Sequence, residues 1–396
     1  MNYNRYVLET KLNNRKVLLN TVTKKVLPIS CSKQDMKDNY FLKEQEDEVV
    51  AFHLKKKRSS LNLNLIPTWN CNLRCKHCVV LTKLDEKTNK SNLEHVFKFL
   101  DKYFEKEKTQ KSLSIGIAGG ETFLAIDFSL KILKIQDEIA SKYGLETYSS
   151  VTTNGIFDFN EKEVEFIEKV DGIVVSLDGN KEEHNDQRKA YKKSIVDPFE
   201  KTISTIKKIV DMGYRNKLFV QAAIKDENYS IENYKNFLRT LLKIGVKNEN
   251  ITYGCIHPTN HDSNPQGNFI KDLKKVKPYP IPCCKYRFSS SLTIDTDGKI
   301  YDSYYTMDEG SCLGTLEDEP ETIEKNSYKN ILKTMPVLQD EKCKTCPVIG
   351  MCWGKCVNGG EQHLTPSKYC NQQGLIEYSK DLAEKGELIK VLGINV

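Results

Sequence analysis

Leu61-Asn-Leu-Asn-Leu-Ile-Pro67, running through Thr68-Trp-Asn into Cys71-Asn-Leu-Arg-Cys75-Lys-His-Cys78, is the stretch that decides the fold. Its first half is a short run with apolar residues at every second position, the pattern of a strand. Its second half is a C-x3-C-x2-C cluster in the loop directly after that strand, ahead of a helical pattern at about 92–107. Strand, loop and helix in that order make one unit of a parallel α/β fold, where chemistry gathers at the C-terminal ends of the strands.

Outward from this unit, five more strand candidates follow: Leu113–Ala118, Thr147–Thr153, Gly172–Leu177, Leu218–Ile224 and Ile251–Cys255. Amphipathic stretches at approximately 125–142, 160–169, 195–212 and 230–245 separate them. The expected fold is therefore α/β, a partial (β/α)6 TIM-like barrel over residues 61–265. Residues 1–60 read as a small accessory segment with β-like runs at Tyr6–Leu8 and Val17–Leu19 and a basic linker, Lys55–Arg58. After about 265 the alternation stops. A cysteine-rich, loop-rich module covers 266–374 and a helix-like stretch covers 375–396. So little apolar mass usually needs cross-links or metal to stay folded.

Composition narrows the partners. Lys and Arg outnumber Asp and Glu by 60 to 54, a net charge of +6 spread over 396 residues. No dense basic stripe with interleaved aromatics occurs, so no nucleic-acid partner is expected. No stretch approaches the roughly 18 apolar residues of a membrane helix, and the N-terminus has no signal-like apolar core, so no membrane partner is expected and a cytoplasmic location is. In that compartment the 13 cysteines point to metal rather than to disulfides.

Three thiolates within eight residues can wrap one face of a cubane and leave its fourth iron open. The alternative is a structural zinc site, although closed zinc sites use four ligands in paired C-x2-C knuckles. Short turn motifs close the next strands: Gly119-Gly120-Glu121, Thr153-Asn154-Gly155 and Ser176-Leu-Asp178-Gly179, with His184-Asn-Asp186-Gln-Arg188 just beyond. Each alone is an ordinary turn or helix surface, but at successive strand ends they converge on one place.

With these motifs the chain resembles the radical S-adenosylmethionine superfamily. The resemblance implies a [4Fe-4S] cluster on Cys71, Cys75 and Cys78, with S-adenosyl-L-methionine chelating the open iron and cleaved reductively to a 5'-deoxyadenosyl radical. It further implies close backbone approach at Gly119 and Gly120, and a Glu121 carboxylate paired with the cofactor ammonium. Asn154, Ser176 and Asp178 would line the ribose and methionine, Arg188 would lie near the cofactor carboxylate, and His77 would offer its backbone to adenine. The family often has proline where this chain has Thr122.

Further on, Cys343-x2-Cys346-x5-Cys352-x3-Cys356 and Cys370 resemble the SPASM extension, which implies one or two auxiliary [4Fe-4S] clusters. By that resemblance Cys343, Cys346, Cys352 and Cys370 hold one of them; a zinc ribbon is the alternative. The other is altered, because Ser303 stands where the family's upstream half has a cysteine. Cys283 or Cys284, Cys312 and Cys356 are its candidate ligands.

SPASM-bearing enzymes mostly act on peptides or proteins, so the expected substrate is a ribosomally synthesised precursor peptide, with flavodoxin or ferredoxin as electron donor. The N-terminal segment is too short for a full winged-helix leader-binding domain. The expected product is a thioether or carbon–carbon cross-link. Epimerisation is an alternative in which Cys255, at the end of the sixth strand, returns a hydrogen atom; the plainer reading of Cys255 is a buried thiol. Formylglycine formation, radical dehydrogenation of a small molecule, and a non-enzymatic zinc-binding module complete the alternatives. Cys31 has no partner spacing and receives no role.

Overall fold

The computed structural model describes residues 3–12, 15–23, 25–46, 48, 60–78, 80, 83–84, 93–191, 197–224, 231–255, 290–304, 307, 309–334, 345–347 and 376. Two compact units emerge. In the N-terminal one, β1 (Val7–Leu12), β2 (Arg15–Asn20) and β3 (Lys25–Pro28) form an antiparallel meander, followed by helix α1 (Lys33–Asp38). Leu18, Met36, Phe41 and Leu42 are its buried centre.

The larger unit carries all six expected parallel strands: β4 (Ser60–Leu65), β6 (Ser112–Ile117), β7 (Glu146–Thr153), β8 (Gly172–Ser176), β10 (Leu218–Ile224) and β11 (Ile251–Cys255). They lie side by side in chain order, the singly wound arrangement of a partial barrel. Between them run α2 (Leu93–Lys106), α3 (Ile126–Tyr143), α4 (Glu161–Lys169), α5 (Lys181–Gln187), α6 (Pro198–Asp211) and α7 (Ile231–Ile244). Helix starts follow capping chemistry: Asn160 with Glu163 and Asn180 with Glu183 form capping boxes, and Asp197 caps a helix that opens on Pro198.

Alternation divides each strand between two environments. Leu61, Leu63 and Leu65 of β4 and Leu113, Ile115 and Ile117 of β6 are buried in the hydrophobic core. The other faces are small or polar: Asn62 and Asn64, Ser114 and Gly116, Ser150 and Thr152. A Cβ on Gly116 would stand 2.9 Å from Asn64 Oδ1, so a larger residue there would have to push the Asn64 side chain aside. Closed barrels fill this interior with branched apolar side chains; a small, polar lining suits one that admits a ligand.

The sheet also extends past the expected strands. β12 (Ser290–Ile294) pairs parallel with β4, and β13 (Lys299–Tyr301) and β14 (Gly314–Thr315) follow antiparallel. Residues 290–327, which the sequence assigns to the cysteine-rich module, share the unit of the barrel because β12 occupies the free edge of β4. Helix α8 (Pro320–Thr334) follows. The C-terminal stretch expected to be helical lies outside the described residues, apart from Ile376.

Candidate functional site

The three cysteines of the loop after β4 sit beside an element that the sequence does not announce. Strand β5 (Leu73–Cys75) pairs antiparallel with β9 (Arg188–Ala190), in register Cys75 with Arg188. Lys76 N donates to Gln187 O at 2.8 Å and Tyr191 N to Asn72 O at 3.0 Å, extending the ribbon at both ends. Arg188 is thereby delivered to the cysteine loop, with Nη1 3.9 Å from Cys75 Sγ.

Arg188 is also held by Asp178, fully buried two residues past the end of β8. Its Nε donates to Asp178 Oδ2 at 2.6 Å and its Nη2 to Oδ1 at 3.0 Å. Asp178 Oδ1 accepts from Ala223 N at 2.8 Å, and His77 Nε2 lies 3.8 Å from Oδ2. Burial pushes this carboxyl up, but the charges of Arg188 and His77 prevail and hold it below the ordinary carboxylate range. Asp178 N donates to Nδ1 of the buried His184 at 3.1 Å, which fixes that imidazole's tautomer, and burial lowers its pKa to about 4.

A second network approaches Cys71. Glu121 is only 1% exposed, and its carboxylate is turned onto the neighbouring strand end. Oε1 accepts from Thr153 Oγ1 at 2.8 Å and Phe123 N at 3.1 Å, and Oε2 from Asn154 N at 2.8 Å. Burial outweighs these bonds and raises its pKa. Asn154 then reaches the loop: Nδ2 donates to Asn72 Oδ1 at 2.6 Å and lies 3.9 Å from Cys71 Sγ. The two glycines before Glu121 allow this packing, since a Cβ would stand 2.5 Å from Thr68 O at Gly119 and 2.3 Å from Asn70 O at Gly120. Ser176 ends β8 in register with Gln221 of β10 on the inner face.

Burial pushes the Cys71 thiol up to about 12 and Cys75 up to about 11, and raises Cys78 as well. Such thiols lose their protons readily only to a metal. Among the described residues no three Cys, His, Asp or Glu side chains converge as a single metal ion requires. A cubane fits a wider triad, because each thiolate binds a different iron, and N–H donors beside the sulfurs suit it: Leu73 N at 3.4 Å from Cys71 Sγ, besides Asn154 and Arg188.

Residues 65–238 match the Radical SAM superfamily. That stretch is a radical SAM domain. Its cofactors are accordingly a [4Fe-4S] cluster and S-adenosylmethionine. No curated protein sequence matches the chain. Among solved structures, anSMEcpe, an anaerobic sulfatase-maturating enzyme, with bound AdoMet is 20% identical over 85% of this chain and 100% of that one, with a TM-score of 0.58. anSMEcpe with AdoMet and the Cp18Cys peptide is 19% identical over 84% and 98%, with a TM-score of 0.58. Streptococcus suis SuiB bound to precursor peptide SuiA is 13% identical over 93% and 99%, with a TM-score of 0.55. These likenesses concern the fold, and they agree with the partial radical SAM barrel.

The structure therefore gathers Cys71, Cys75, Cys78, His77, Gly119, Gly120, Glu121, Asn154, Asp178 and Arg188 around one loop at the strand ends. Sequence reasoning passes over Asn72 and His184, which bridge these groups; the His184 signal was present in the same motif as Arg188. Cys312 is partly exposed, with its thiol 3.4 Å from Gly314 O, and Cys346 is partly exposed in the other unit. Cys283, Cys284, Cys343, Cys352, Cys356 and Cys370 lie outside the described residues. For Cys255 the backbone alone is described, ending β11 in register with Ile224. No described helix is long and apolar enough to cross a membrane.

Proposed function

We propose that this radical SAM enzyme modifies a ribosomally synthesised precursor peptide and that its product is a thioether or carbon–carbon cross-link. The observation that carries the reading is the cysteine loop standing at the C-terminal end of β4, over a small, polar strand face made of Asn64, Gly116, Ser150 and Thr152. Two structural neighbours are peptide-bound, SuiB with SuiA and anSMEcpe with Cp18Cys, which supports a peptide here.

In this reading Cys71, Cys75 and Cys78 hold the cluster. When bound, cluster and S-adenosylmethionine together supply the 5'-deoxyadenosyl radical that removes a substrate hydrogen. Gly119 and Gly120 bring backbone close to the cofactor, and Ser176, Asn154 and His77 line it. Arg188 presents its guanidinium beside Cys75, with Asp178 fixing the angle. Glu121 pairs its carboxylate with the cofactor ammonium and also sets Asn154 through the bond it accepts from Asn154 N. A flavodoxin or ferredoxin would supply the electron, and the C-terminal cysteines would hold auxiliary clusters able to take up an electron.

Epimerisation with Cys255 as hydrogen donor is the second reading, favoured by the place of Cys255 at a C-terminal strand end. Co-expression with short peptides encoded beside the gene, grown anaerobically in heavy water, separates the two by mass. Loss of two hydrogens supports a cross-link; one deuterium fixed at an alpha carbon supports epimerisation. Unmodified peptides from cells in which the enzyme cleaves S-adenosylmethionine would refute both.

A further inference from the structure

The turn between β12 and β13, Asp295-Thr-Asp297-Gly298, holds a buried carboxylate that does more than close the turn. Asp297 serves the hairpin, with Oδ1 accepting from Lys299 N at 3.1 Å. Asp295 is 5% exposed and reaches outward. Its Oδ1 accepts from Trp69 Nε1 at 2.7 Å, besides Thr296 N at 2.6 Å and Thr296 Oγ1 at 3.3 Å. Its Oδ2 accepts from Lys83 Nζ at 3.0 Å. Trp69 stands two residues before Cys71, and Lys83 five after Cys78. One carboxylate thus takes the cysteine loop by both flanks, each from more than two hundred residues away in sequence.

The flanks are tied to each other as well. Lys83 Nζ lies 5.3 Å from the Trp69 ring centroid, within cation–π range. Trp69 is fully buried with Ile66, Val80 and Leu84, against Cys71, Cys78 and Tyr304. Tyr304 Oη donates to Gly119 O at 2.9 Å, linking the same cluster to the glycine turn. A buried carboxylate is tolerated only when its oxygens are met, and here charge-assisted and indole donors meet both.

We propose that Asp295 is a positioning residue that fixes the span of the Cys71–Cys78 loop, and so the geometry of its three thiolates, by holding Trp69 with one oxygen and Lys83 with the other. The proposal rests on the reading of these cysteines as cluster ligands. Its consequence is retention of iron: a loop released at one flank lets a thiolate swing away, and a cubane with a loosened ligand gives up its iron more readily to a chelator.

The test uses the full-length, anaerobically reconstituted protein with substitutions Lys83→Met, Asp295→Asn and both together, plus Asp295→Ala. Iron release to a chelator is followed in each. In a Trp353→Phe background, where Trp69 is the one remaining tryptophan, acrylamide quenching is read on the protein without its cluster. Lys83→Met and Asp295→Asn should each speed iron release about 10-fold, as loss of an outer-shell partner does. The double variant should be no worse than either, since both remove one tie. Asp295→Ala should also raise Trp69 quenching several-fold. Release at the wild-type rate in both single variants, or effects that multiply in the double, would overturn the proposal, even if Asp295→Ala fails to fold. Wild-type protein that takes up no iron would instead overturn the cluster reading itself.

Discussion

Arg188 grips Asp178 through two parallel hydrogen bonds, Nε to Oδ2 at 2.6 Å and Nη2 to Oδ1 at 3.0 Å, while its third nitrogen faces the Cys75 sulfur. A planar fork is the one side chain that can serve a carboxylate with two nitrogens and keep a third pointed elsewhere. Arg188→Ala leaves Asp178 buried without its main cationic partner, which should destabilise the protein by about 3–5 kcal/mol in denaturant unfolding. Arg188→Lys should restore part of that stability without restoring S-adenosylmethionine cleavage, because an ammonium cannot make both contacts.

His184 gives a pH dependence with a defined sign. Its pKa falls from about 6.5 in the unfolded chain to about 4 in the fold, so the folded state binds fewer protons between those values. The stability it confers is complete above about pH 6.5 and lost as pH drops towards about 4, on the order of 3 kcal/mol in all. Melting of the cluster-free protein should decline across that window, and His184→Asn should flatten the decline.

Gly120→Ala places a Cβ 2.3 Å from Asn70 O and 2.5 Å from Trp69 O, both backbone atoms that cannot rotate aside. The segment leading into Cys71 must shift. Iron content after reconstitution should drop by about one cluster, whereas alanine at Gly144, whose Cβ meets nothing within 4 Å, should leave iron unchanged despite backbone strain at its φ of 64°.

Iron analysis also separates the C-terminal alternatives. Three four-iron clusters give about 12 irons per chain, loss of one auxiliary site about 8, and a zinc-bearing C-terminus about 4. Replacing Cys71, Cys75 or Cys78 by alanine should remove about 4 irons and abolish S-adenosylmethionine cleavage. Cleavage at the normal rate in any of the three variants would remove the basis of the assignment.

Cys255→Ala distinguishes the two peptide chemistries. S-adenosylmethionine cleavage should persist in the variant. If the product is a cross-link its yield should be unchanged, and if it is an epimer the deuterium at the alpha carbon should disappear.

The barrel was legible because its signals are local. Alternation in Ser60–Leu65 and Ser112–Ile117, and capping residues such as Asn160 and Asp197, need only neighbouring residues to be read. The cysteine loop and the strand-end turns were legible for the same reason. The β5–β9 ribbon was not, since three residues in each strand carry no period and the partners Cys75 and Arg188 are 113 positions apart. Nor was the seat of β12, because nothing in Ser290–Ile294 says which edge it will find. Aspartate is a common turn former, so nothing in Asp295-Thr-Asp297-Gly298 itself separates the two aspartates, and only the fold shows that one of them faces away from the turn.

The same ribbon sets a timetable for maturation. Cys71, Cys75 and Cys78 leave the ribosome long before Arg188, and at roughly 5–20 residues per second the strand partner of Cys75 follows only after several seconds or more. Throughout that interval the nascent chain exposes three thiols without Arg188 beside them and with no neighbouring strand end to enclose them. Cells making this protein must therefore either shield the emerging cysteines from oxidant or deliver iron and sulfide after synthesis is complete.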